Sequence, residues 1–163
     1  TLIGADALKA AFRRHASGIS IITGNENGQP FGFTASSATS LGSNPPLVSL
    51  NIAQGSSSYP LMTKGRLLGL HVLGSENLGL AQQMAGDKEN RFSSEYQLMT
   101  EEVPVFEDAS AVLFIRIREV IDVEKNAVVI CDVESGIELI EQSPITYYQR
   151  GYHQIGERLA DNF

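Results

Sequence analysis

The chain is predicted to be mainly β, with six or seven antiparallel strands in a barrel or sandwich and a few peripheral helices. Three observations predict this class: short apolar segments recur along the chain, an Asn-Gly pair marks a hairpin, and one long segment alternates between apolar and charged residues. The 163 residues, 42% of them hydrophobic, suffice for one core and are too few for two ordinary domains. We therefore expect a single domain over residues 1–163.

The predicted strands are short and are bounded by turn residues. They lie at 19–23, 31–34, 47–52, 67–73, 111–123, 127–133 and 145–149. Asn27-Gly28 is expected to join the first two as a hairpin, because both residues tolerate positive φ. In segment 111–123 the alternation places Leu113, Ile115, Ile117, Ile121 and Val123 on one face, and Arg116, Arg118 and Asp122 on the other.

Helical spacing is confined to three short segments. An amphipathic opening helix is expected to have Asp6 as its N-cap and to be ended by Gly18. Its apolar face would consist of Leu8, Ala11, Phe12 and His15. Residues 58–64 are expected to form a short helix. A third helix is predicted to follow Ser75, its cap, and to stop at Gly86.

Composition argues against several classes of function. The formal net charge of −7 argues against a nucleic-acid or anionic-membrane partner, since either would require a concentrated excess of Lys and Arg. The longest apolar runs, such as 111–115, are far below the roughly 20 residues that span a bilayer, and the N-terminus has no signal-peptide pattern. We expect a soluble, cytoplasmic protein. Because the chain begins at Thr1 without methionine, a preceding leader stays an open alternative.

Few residues suggest chemistry of their own. His15, His71 and His153 lack metal-ligand spacing, so no metal site is predicted. His71 lies in a strand and is interpreted as a satisfied core or rim histidine rather than a catalytic one. Cys131 alternates with apolar neighbours and is interpreted as a small core residue rather than a reactive thiol. No Gly-x-Ser-x-Gly, P-loop or Gly-x-Gly-x-x-Gly motif supports acyl transfer, nucleotide hydrolysis or Rossmann-type dinucleotide binding.

Two runs of small hydroxyl residues flank the predicted strand 47–52. The first extends from Thr34 to Ser40, and the second from Ser56 to Ser58. Small side chains let a ligand approach the backbone closely, and both N–H and O–H groups can then donate to it. Two neighbouring runs therefore suit a phosphate and the polar edge of a flat heterocycle. The alternative is that serine and threonine simply fill turns.

An ordered series of motifs extends this pattern over about residues 8–155. It comprises Phe12-Arg13, 17–23, 32–37, 45–48, 56–58, Arg91-Phe92 and 148–152. In this order the motifs resemble the flavin reductase-like FMN-binding split-barrel family. The resemblance implies a Greek-key split β-barrel, a homodimer, FMN (or FAD or riboflavin) as cofactor and NAD(P)H as electron donor. It also implies that reduced flavin either serves a partner oxygenase or is oxidised in place.

The same resemblance implies a set of flavin contacts. The polar rim of the flavin, near N5, would contact Thr34, Ala35, Ser36, Ser37, Ser49 and Asn51. The phosphate would contact Arg91 and the N-terminus of a short helix that begins with Ser56, Ser57 and Ser58. The alternative for Arg91 is a solvated loop arginine. Phe92 would either pack beside the ring or anchor its loop.

The nicotinamide site is expected near the C-terminus. Similar reductases place the terminal segment near this group, which makes Arg150 and Tyr152 candidates for binding NAD(P)H, although aromatic residues at alternate strand positions are usually core. The family's Gly-Asp-His is replaced here by a segment containing Lys125-Asn126, which cannot reproduce an imidazole. No catalytic residue is assigned, because the flavin ring carries the electrons while the protein supplies position and polarity.

Three functions therefore stay open. The first is an NAD(P)H-dependent flavin reductase, in which hydride passes from the nicotinamide to flavin N5 and the acceleration comes mostly from alignment. The second is an FMN-binding relative without this turnover, which the missing Gly-Asp-His favours. The third is a non-catalytic scaffold whose serine runs are ordinary turns.

Overall fold

The structure is a computed structural model and describes residues 1–162. Within this range the chain forms two α-helices and twelve β-strands: α1 Gly4–Phe12, β1 Ser17–Gly18, β2 Ser20–Glu26, β3 Gln29–Ala35, β4 Thr39–Ser43, β5 Pro46–Ala53, β6 Leu67–Val72, α2 Leu78–Ala85, β7 Gln97–Leu98, β8 Pro104–Val105, β9 Ala111–Val123, β10 Asn126–Glu138, β11 Ile145–Tyr148 and β12 Gly151–Gln154. Single turns of 3-10 helix occur at Tyr59–Leu61, Ser75–Asn77, Lys88–Asn90 and Thr100–Glu102.

Seven strands form the main sheet, in the order β3-β2-β6-β9-β10-β5-β4, with antiparallel pairing throughout. A smaller sheet contains β1, β11 and β12, and β7 pairs with β8. The predicted mainly-β, antiparallel class is confirmed. The hairpin between β2 and β3 also forms as predicted, because Asn27 and Gly28 adopt φ values of 52° and 85°.

The main sheet curls so that its two edges approach each other. The backbone N–H of Asn51, on β5, donates to Oγ of Ser37, just after β3, across 3.0 Å. β3 is one edge of the sheet and β5 is next to the other edge, so this bond spans the split between them. Apolar side chains from six strands fill the interior, among them Ile22, Leu50 and Ile115. This arrangement is the expected split barrel.

A second cluster of apolar side chains lies outside the barrel, beneath α2. Leu80 and Met84 of α2 pack in this cluster with Ile21 of β2. The next residue, Ile22, belongs to the interior cluster, so β2 is buried on both faces. This explains its continuous apolar run, and α2 is thereby held against the outer face of the barrel. The helix ends with Gly86 as its C-cap, as predicted.

The predicted boundaries of the opening helix are wrong. α1 begins at Gly4, so Asp6 lies within its first turn, and the N-cap position is occupied by Ile3 without a side-chain cap bond. A carboxylate in the first turn is still favourable because it faces the partial positive charge of the helix N-terminus. The helix ends at Phe12, well before Gly18.

Two other helix predictions also need correction. Residues 58–64 do not form an α-helix: their backbone bonds join residues three apart, as from the N–H of Leu61 to the oxygen of Ser58, and only a single 3-10 turn results. Ser75 does not cap the next helix. The side-chain oxygen of Asn77 accepts from the N–H of Gly74, and Asn77 itself precedes α2.

A β-bulge in β9 changes which of its residues face the core. Ile117 pairs with Cys131 and Glu119 with Ile130, so Arg118 has no partner between them. The extra residue reverses the alternation beyond it. Leu113, Ile115 and Ile117 face the interior as predicted. Beyond the bulge, Val120 faces the interior in place of Ile121 and Val123. The prediction for Ile121 and Val123 is wrong, since they are 41% and 53% exposed.

Candidate functional site

A cleft of about 320 Å³ opens where the start of β3 meets the 3-10 turn at Tyr59–Leu61 and the loop after α2. Its polar lining includes Ser57, Ser58, Lys88, Glu89 and Arg91. Its apolar lining includes Pro30, Phe31, Leu61 and Phe92. The cleft therefore brings together two groups that are more than thirty residues apart in the sequence, the second serine run and the Arg91-Phe92 pair.

The side chain of Arg91 is held in place by two backbone carbonyl groups. Nη1 donates to the oxygen of Gly32 on β3 across 2.9 Å, and Nε donates to the oxygen of Gly86 across 3.1 Å. The side chain is half-buried, so the alternative of a solvated loop arginine is wrong. A guanidinium has five N–H groups, and three of them remain without a hydrogen-bond partner among the described residues. Arg91 can therefore keep its position and still bind an anion.

The backbone of the same loop is tied to α2. Nε2 of Gln83 donates to the carbonyl oxygen of Arg91 across 2.9 Å, and Oγ of Ser94 donates to Oε1 of Gln83 across 2.9 Å. The sequence did not predict three residues that support or line the cleft, Gln83, Lys88 and Glu89. The sequence does mark 87–90 as a charged stretch, but nothing in it indicates which strand this stretch faces.

The serines of the second run have three different environments. Oγ of Ser56 accepts from the N–H of Ser58 across 3.2 Å, so the Ser56 side chain caps its own loop and does not line the cleft. Ser57 is exposed, Ser58 is buried, and both line the cleft. The predicted helix N-terminus is absent here, because only a 3-10 turn follows. The contribution of a helix dipole at this point is correspondingly small.

Phe92 forms an aromatic wall of the cleft. Its ring stacks on Phe106 with the centroids 5.9 Å apart and an angle of 23°, and Tyr96 contacts it edge-on at 5.4 Å. Phe92 is half-buried in the cluster beneath α2 and also lines the cleft. The two roles that the sequence left open are therefore compatible: the residue anchors its loop and presents a ring to the cleft.

The first hydroxyl run lies further along β3 and outside this cleft. Oγ1 of Thr34 donates to the carbonyl oxygen of Ala81 in α2 across 3.1 Å, so this hydroxyl already has an acceptor. Ala35 is buried in the barrel core, and Ser36 is exposed. Because strand residues advance by about 3.3 Å each, Thr34 lies about 7 Å from Gly32, which borders the cleft. The run thus extends the same edge of the sheet.

The other predicted residues of the flavin rim lie on β5. Ser49 is half-buried and pairs with Ile130 of β10, and Asn51 is exposed and pairs with Val128. Ser37 contacts Asn51 across the split, so the structure brings part of the first run to β5. None of the residues 34–37, 49 and 51 lines the 320 Å³ cleft. Their contact with a flavin stays a prediction.

Comparison with known proteins identifies the family. A family model described as "Flavin reductase like domain" matches residues 12–156. The chain belongs to the flavin reductase-like family. The family that the ordered motifs predicted is therefore confirmed.

Three relatives illustrate the range of similarity. The NADH:FMN oxidoreductase of Rhodococcus erythropolis is 34% identical over 132 residues, which cover 80% of this chain and 69% of that protein. The reductase component of 4-nitrophenol 4-monooxygenase/4-nitrocatechol 2-monooxygenase from Rhodococcus opacus is 26% identical over 145 residues, covering 86% of this chain and 78% of that protein. The crystal structure of a flavin reductase domain protein from Arthrobacter sp. FB24 has a TM-score of 0.91 and 37% identity, covering 98% of this chain and 100% of that one.

The two candidates for nicotinamide binding in this flavin reductase-like chain lie away from the first cleft. Tyr152 is half-buried and contacts Tyr147 edge-on, with the ring centroids 5.6 Å apart. Arg150 is exposed in the turn between β11 and β12 and lines a second cleft, beside the end of α1. Arg150 lines this cleft whereas Tyr152 does not, and the contact of either residue with NAD(P)H stays a prediction.

The segment that replaces Gly-Asp-His forms the turn between β9 and β10. Glu124 has φ of 52°, and the carbonyl oxygen of Lys125 accepts from the N–H of Gln54 across 2.9 Å. Nε2 of Gln54 also donates to the oxygen of Asn126 across 3.0 Å. This turn is therefore fixed to the segment that leads into the second serine run.

Two buried titratable side chains lie outside both clefts. Nε2 of His71 accepts from the N–H of Phe106 across 3.1 Å, and Nδ1 lies 3.3 Å from the oxygen of Ile21, which requires the proton on Nδ1. Burial lowers the pKa of His71 to about 4, so the ring is neutral and satisfied, as predicted. Cys131 is a core residue as predicted, and burial raises its pKa to about 12.

Residues 1–162 contain neither a metal-binding cluster nor a membrane-spanning helix. No cluster of three or more His, Cys, Asp or Glu side chains in this range is arranged to hold a metal ion. None of the helices in the described part of the chain is long and apolar enough to cross a membrane.

Proposed function

We propose that the chain is an FMN-binding, NAD(P)H-dependent flavin reductase. The observation that carries the proposal is the first cleft, which unites Ser57 and Ser58 with a fixed guanidinium and an aromatic ring. Family membership and the relative named NADH:FMN oxidoreductase support the same assignment. When bound, FMN accepts a hydride from the nicotinamide of NAD(P)H.

The polar side of the cleft fits a phosphate monoester. Arg91 offers N–H groups in a planar fork, Lys88 offers a second positive charge, and the serines add hydroxyl donors. The charge-assisted bond from Arg91 supplies most of the phosphate selectivity. Because Gly32 and Gly86 already orient the guanidinium, little side-chain entropy is lost when the anion binds.

The apolar side of the cleft fits a flat ring. Phe92 presents its ring on a rigid aromatic cluster, and β3 is an edge strand, so alternate backbone N–H groups along 29–35 lack a strand partner. These groups, with Ser36 and the backbone N–H of Ser37 beyond them, are the donors that we assign to the polar rim of the flavin, because the Ser37 hydroxyl is already bonded to Asn51. The hydroxyl of Thr34 is not needed for this role, since it binds α2.

Dimerisation and a partner enzyme belong to the same proposal. Leu41, Ile121 and Val123 expose apolar side chains at 52%, 41% and 53%, which supports a homodimer that would cover them. The Rhodococcus opacus relative is named as the reductase component of a monooxygenase, and we propose that reduced flavin from this chain likewise serves an oxygenase in the cytoplasm.

The decisive experiment combines a binding step with a turnover step. Micromolar protein should quench FMN fluorescence, and NADH or NADPH should then bleach the flavin absorbance under anaerobic conditions. Quenching without bleaching would favour the second candidate, an FMN-binding relative without turnover, which the replacement of Gly-Asp-His by Lys125-Asn126 supports. No quenching at all would leave the barrel as a scaffold and contradict the proposal.

A further inference from the structure

Gln83, at the half-buried edge of α2, forms a closed ring of hydrogen bonds with Gly86 and Arg91. Its Nε2 donates to the carbonyl oxygen of Arg91, and its backbone oxygen accepts from the N–H of Gly86 across 3.2 Å. The oxygen of Gly86 in turn accepts from Nε of Arg91. Both the backbone and the side chain of Arg91 are therefore tied to the end of α2.

The helix is a fixed base for this ring. Oγ1 of Thr34, on β3, donates to the oxygen of Ala81 in α2, and Nη1 of Arg91 donates to the oxygen of Gly32 on the same strand. The guanidinium is thus held between the helix and the strand. Its two side-chain bonds can form together only if the Arg91 backbone lies at the right distance from both elements. The bond from Gln83 sets that distance.

The loop itself gives the Arg91 backbone little other support. Residues 87–90 are exposed, and the N–H of Arg91 bonds within the loop, to the oxygen of Lys88 across 3.4 Å. Of the hydrogen bonds formed by residues 1–162, only the one from Gln83 connects the backbone of 88–91 to an element outside the loop. Loss of the Gln83 amide would therefore free the backbone from which the guanidinium extends.

The amide of Gln83 has only one suitable orientation. The carbonyl oxygen of Arg91 can only accept a hydrogen bond, so it must face Nε2 rather than Oε1. Oε1 is then bonded by the hydroxyl of Ser94, which donates to it across 2.9 Å. Both ends of the amide are used, and an apolar or acidic side chain of similar length cannot make the same two bonds.

We propose that Gln83, oriented by Ser94, is a positioning residue for the phosphate of FMN. It places the Arg91 backbone so that the guanidinium can present its remaining N–H groups to the phosphate. This inference rests on the proposed function, since it requires a phosphate at Arg91. Gln83 does not line the first cleft, so it acts through Arg91 and should affect the phosphate-bearing flavin alone.

Fluorescence titration of the full chain with FMN and with riboflavin tests the proposal. Gln83→Met keeps the length of the side chain but loses both bonds. It should reduce the preference for FMN over riboflavin by about three- to tenfold, the scale of one hydrogen bond. Gln82→Met is the matched control, because Gln82 is the exposed neighbour in the same helix. It should leave the preference within about twofold of the wild type.

Two variants of Ser94 provide a second test that does not depend on how α2 tolerates substitution. Threonine and valine have nearly the same shape, but only threonine keeps the hydroxyl. Ser94→Val should reduce the FMN preference in the same direction as Gln83→Met, whereas Ser94→Thr should retain the preference of the wild type. Equal preferences in the two variants would overturn the role of Ser94.

A double-mutant cycle with Arg91→Ala separates positioning from support of the cleft wall. Arg91→Ala removes the guanidinium but keeps the backbone oxygen to which Gln83 donates. In this background Gln83→Met should no longer change the FMN preference, whereas loosening of the wall would persist and would affect both flavins alike.

The outcome for the wild type distinguishes failure of this inference from failure of the proposed function. If the wild type prefers FMN and Arg91→Ala removes the preference, but Gln83→Met keeps it, the positioning role is overturned and the phosphate site stands. If the wild type binds FMN and riboflavin equally, the phosphate site and the positioning role are both overturned.

Discussion

Arg91 and Gly32 are joined by a hydrogen bond of 2.9 Å, from the guanidinium Nη1 to the backbone oxygen. The bond connects the loop after α2 to the edge strand β3, so a side chain expected to bind a ligand also helps to close the cleft. Removal of Arg91 therefore has two effects, loss of a phosphate contact and loosening of a wall. A comparison of FMN with riboflavin, which lacks the phosphate, separates these two effects.

Arg91→Ala should weaken FMN binding by about 1.5–3 kcal/mol more than it weakens riboflavin binding. Both flavins share the ring, so loosening of the wall reduces both affinities alike, and the difference reports the phosphate contact. Titration of flavin fluorescence measures the two constants. Lys88→Ala is a useful comparison, since Lys88 lines the same cleft without holding β3. Equal losses of FMN and riboflavin in Arg91→Ala would show that the residue does not contact the phosphate.

Thr34→Val should lower the free energy of unfolding by about 1 kcal/mol, because the hydroxyl that donates to the oxygen of Ala81 is lost. The same change should have little effect on the affinity for either flavin. Urea denaturation and flavin titration provide the two readouts. Ser36→Ala is the control for stability, since Ser36 is exposed beside the same strand. An unchanged unfolding midpoint with a large loss of flavin affinity would instead place the Thr34 hydroxyl on the flavin.

Gly32→Ala should destabilise the fold by about 1–3 kcal/mol. An added Cβ would lie 2.6 Å from Cε of Met84 and 2.8 Å from the backbone oxygen of Ile22, and the latter cannot move easily. Gly79→Ala is the matched control in α2, where a Cβ meets no atom within 4 Å. Gly79→Ala should stabilise the protein by up to about 1 kcal/mol, because alanine has a higher helix propensity than glycine. Thermal unfolding of both variants measures whether the two changes in stability have opposite signs.

Protein stability should fall as the pH decreases from about 6.5 to about 4. Burial lowers the pKa of His71 from 6.5 to about 4, so within this range the unfolded chain binds a proton that the folded chain does not. Over this pH range His71 alone should lower the free energy of unfolding by about 3 kcal/mol. His71→Asn should be less stable at pH 7 but should show a flatter dependence across the same range.

Much of the candidate site could be predicted because its residue types are distinctive. The second serine run and the Arg91-Phe92 pair stand out in the sequence, and the structure brings Ser57, Ser58, Arg91 and Phe92 to one cleft. The barrel was equally predictable, since apolar strands and an Asn-Gly turn are local signals.

The remaining details depend on contacts between distant segments. The acceptor for the Thr34 hydroxyl is 47 residues away in α2, and no local pattern reveals it. The bulge at Arg118 is equally hidden, because an extra residue in one strand is defined only by its partner strand. β4 was missed because all five of its residues are exposed, so it has no apolar alternation.

The burial of Cys131 has a consequence for chemical durability. Reduced flavin released into air generates hydrogen peroxide, and peroxide attacks the thiolate form of cysteine. With a pKa of about 12, this thiol is almost entirely protonated at neutral pH, and no part of its side chain reaches solvent. Met62 and Met84 are buried as well, whereas Met99 is half-buried. Peroxide damage should therefore begin at Met99, leaving the sulfur atoms of the barrel core intact over many turnovers.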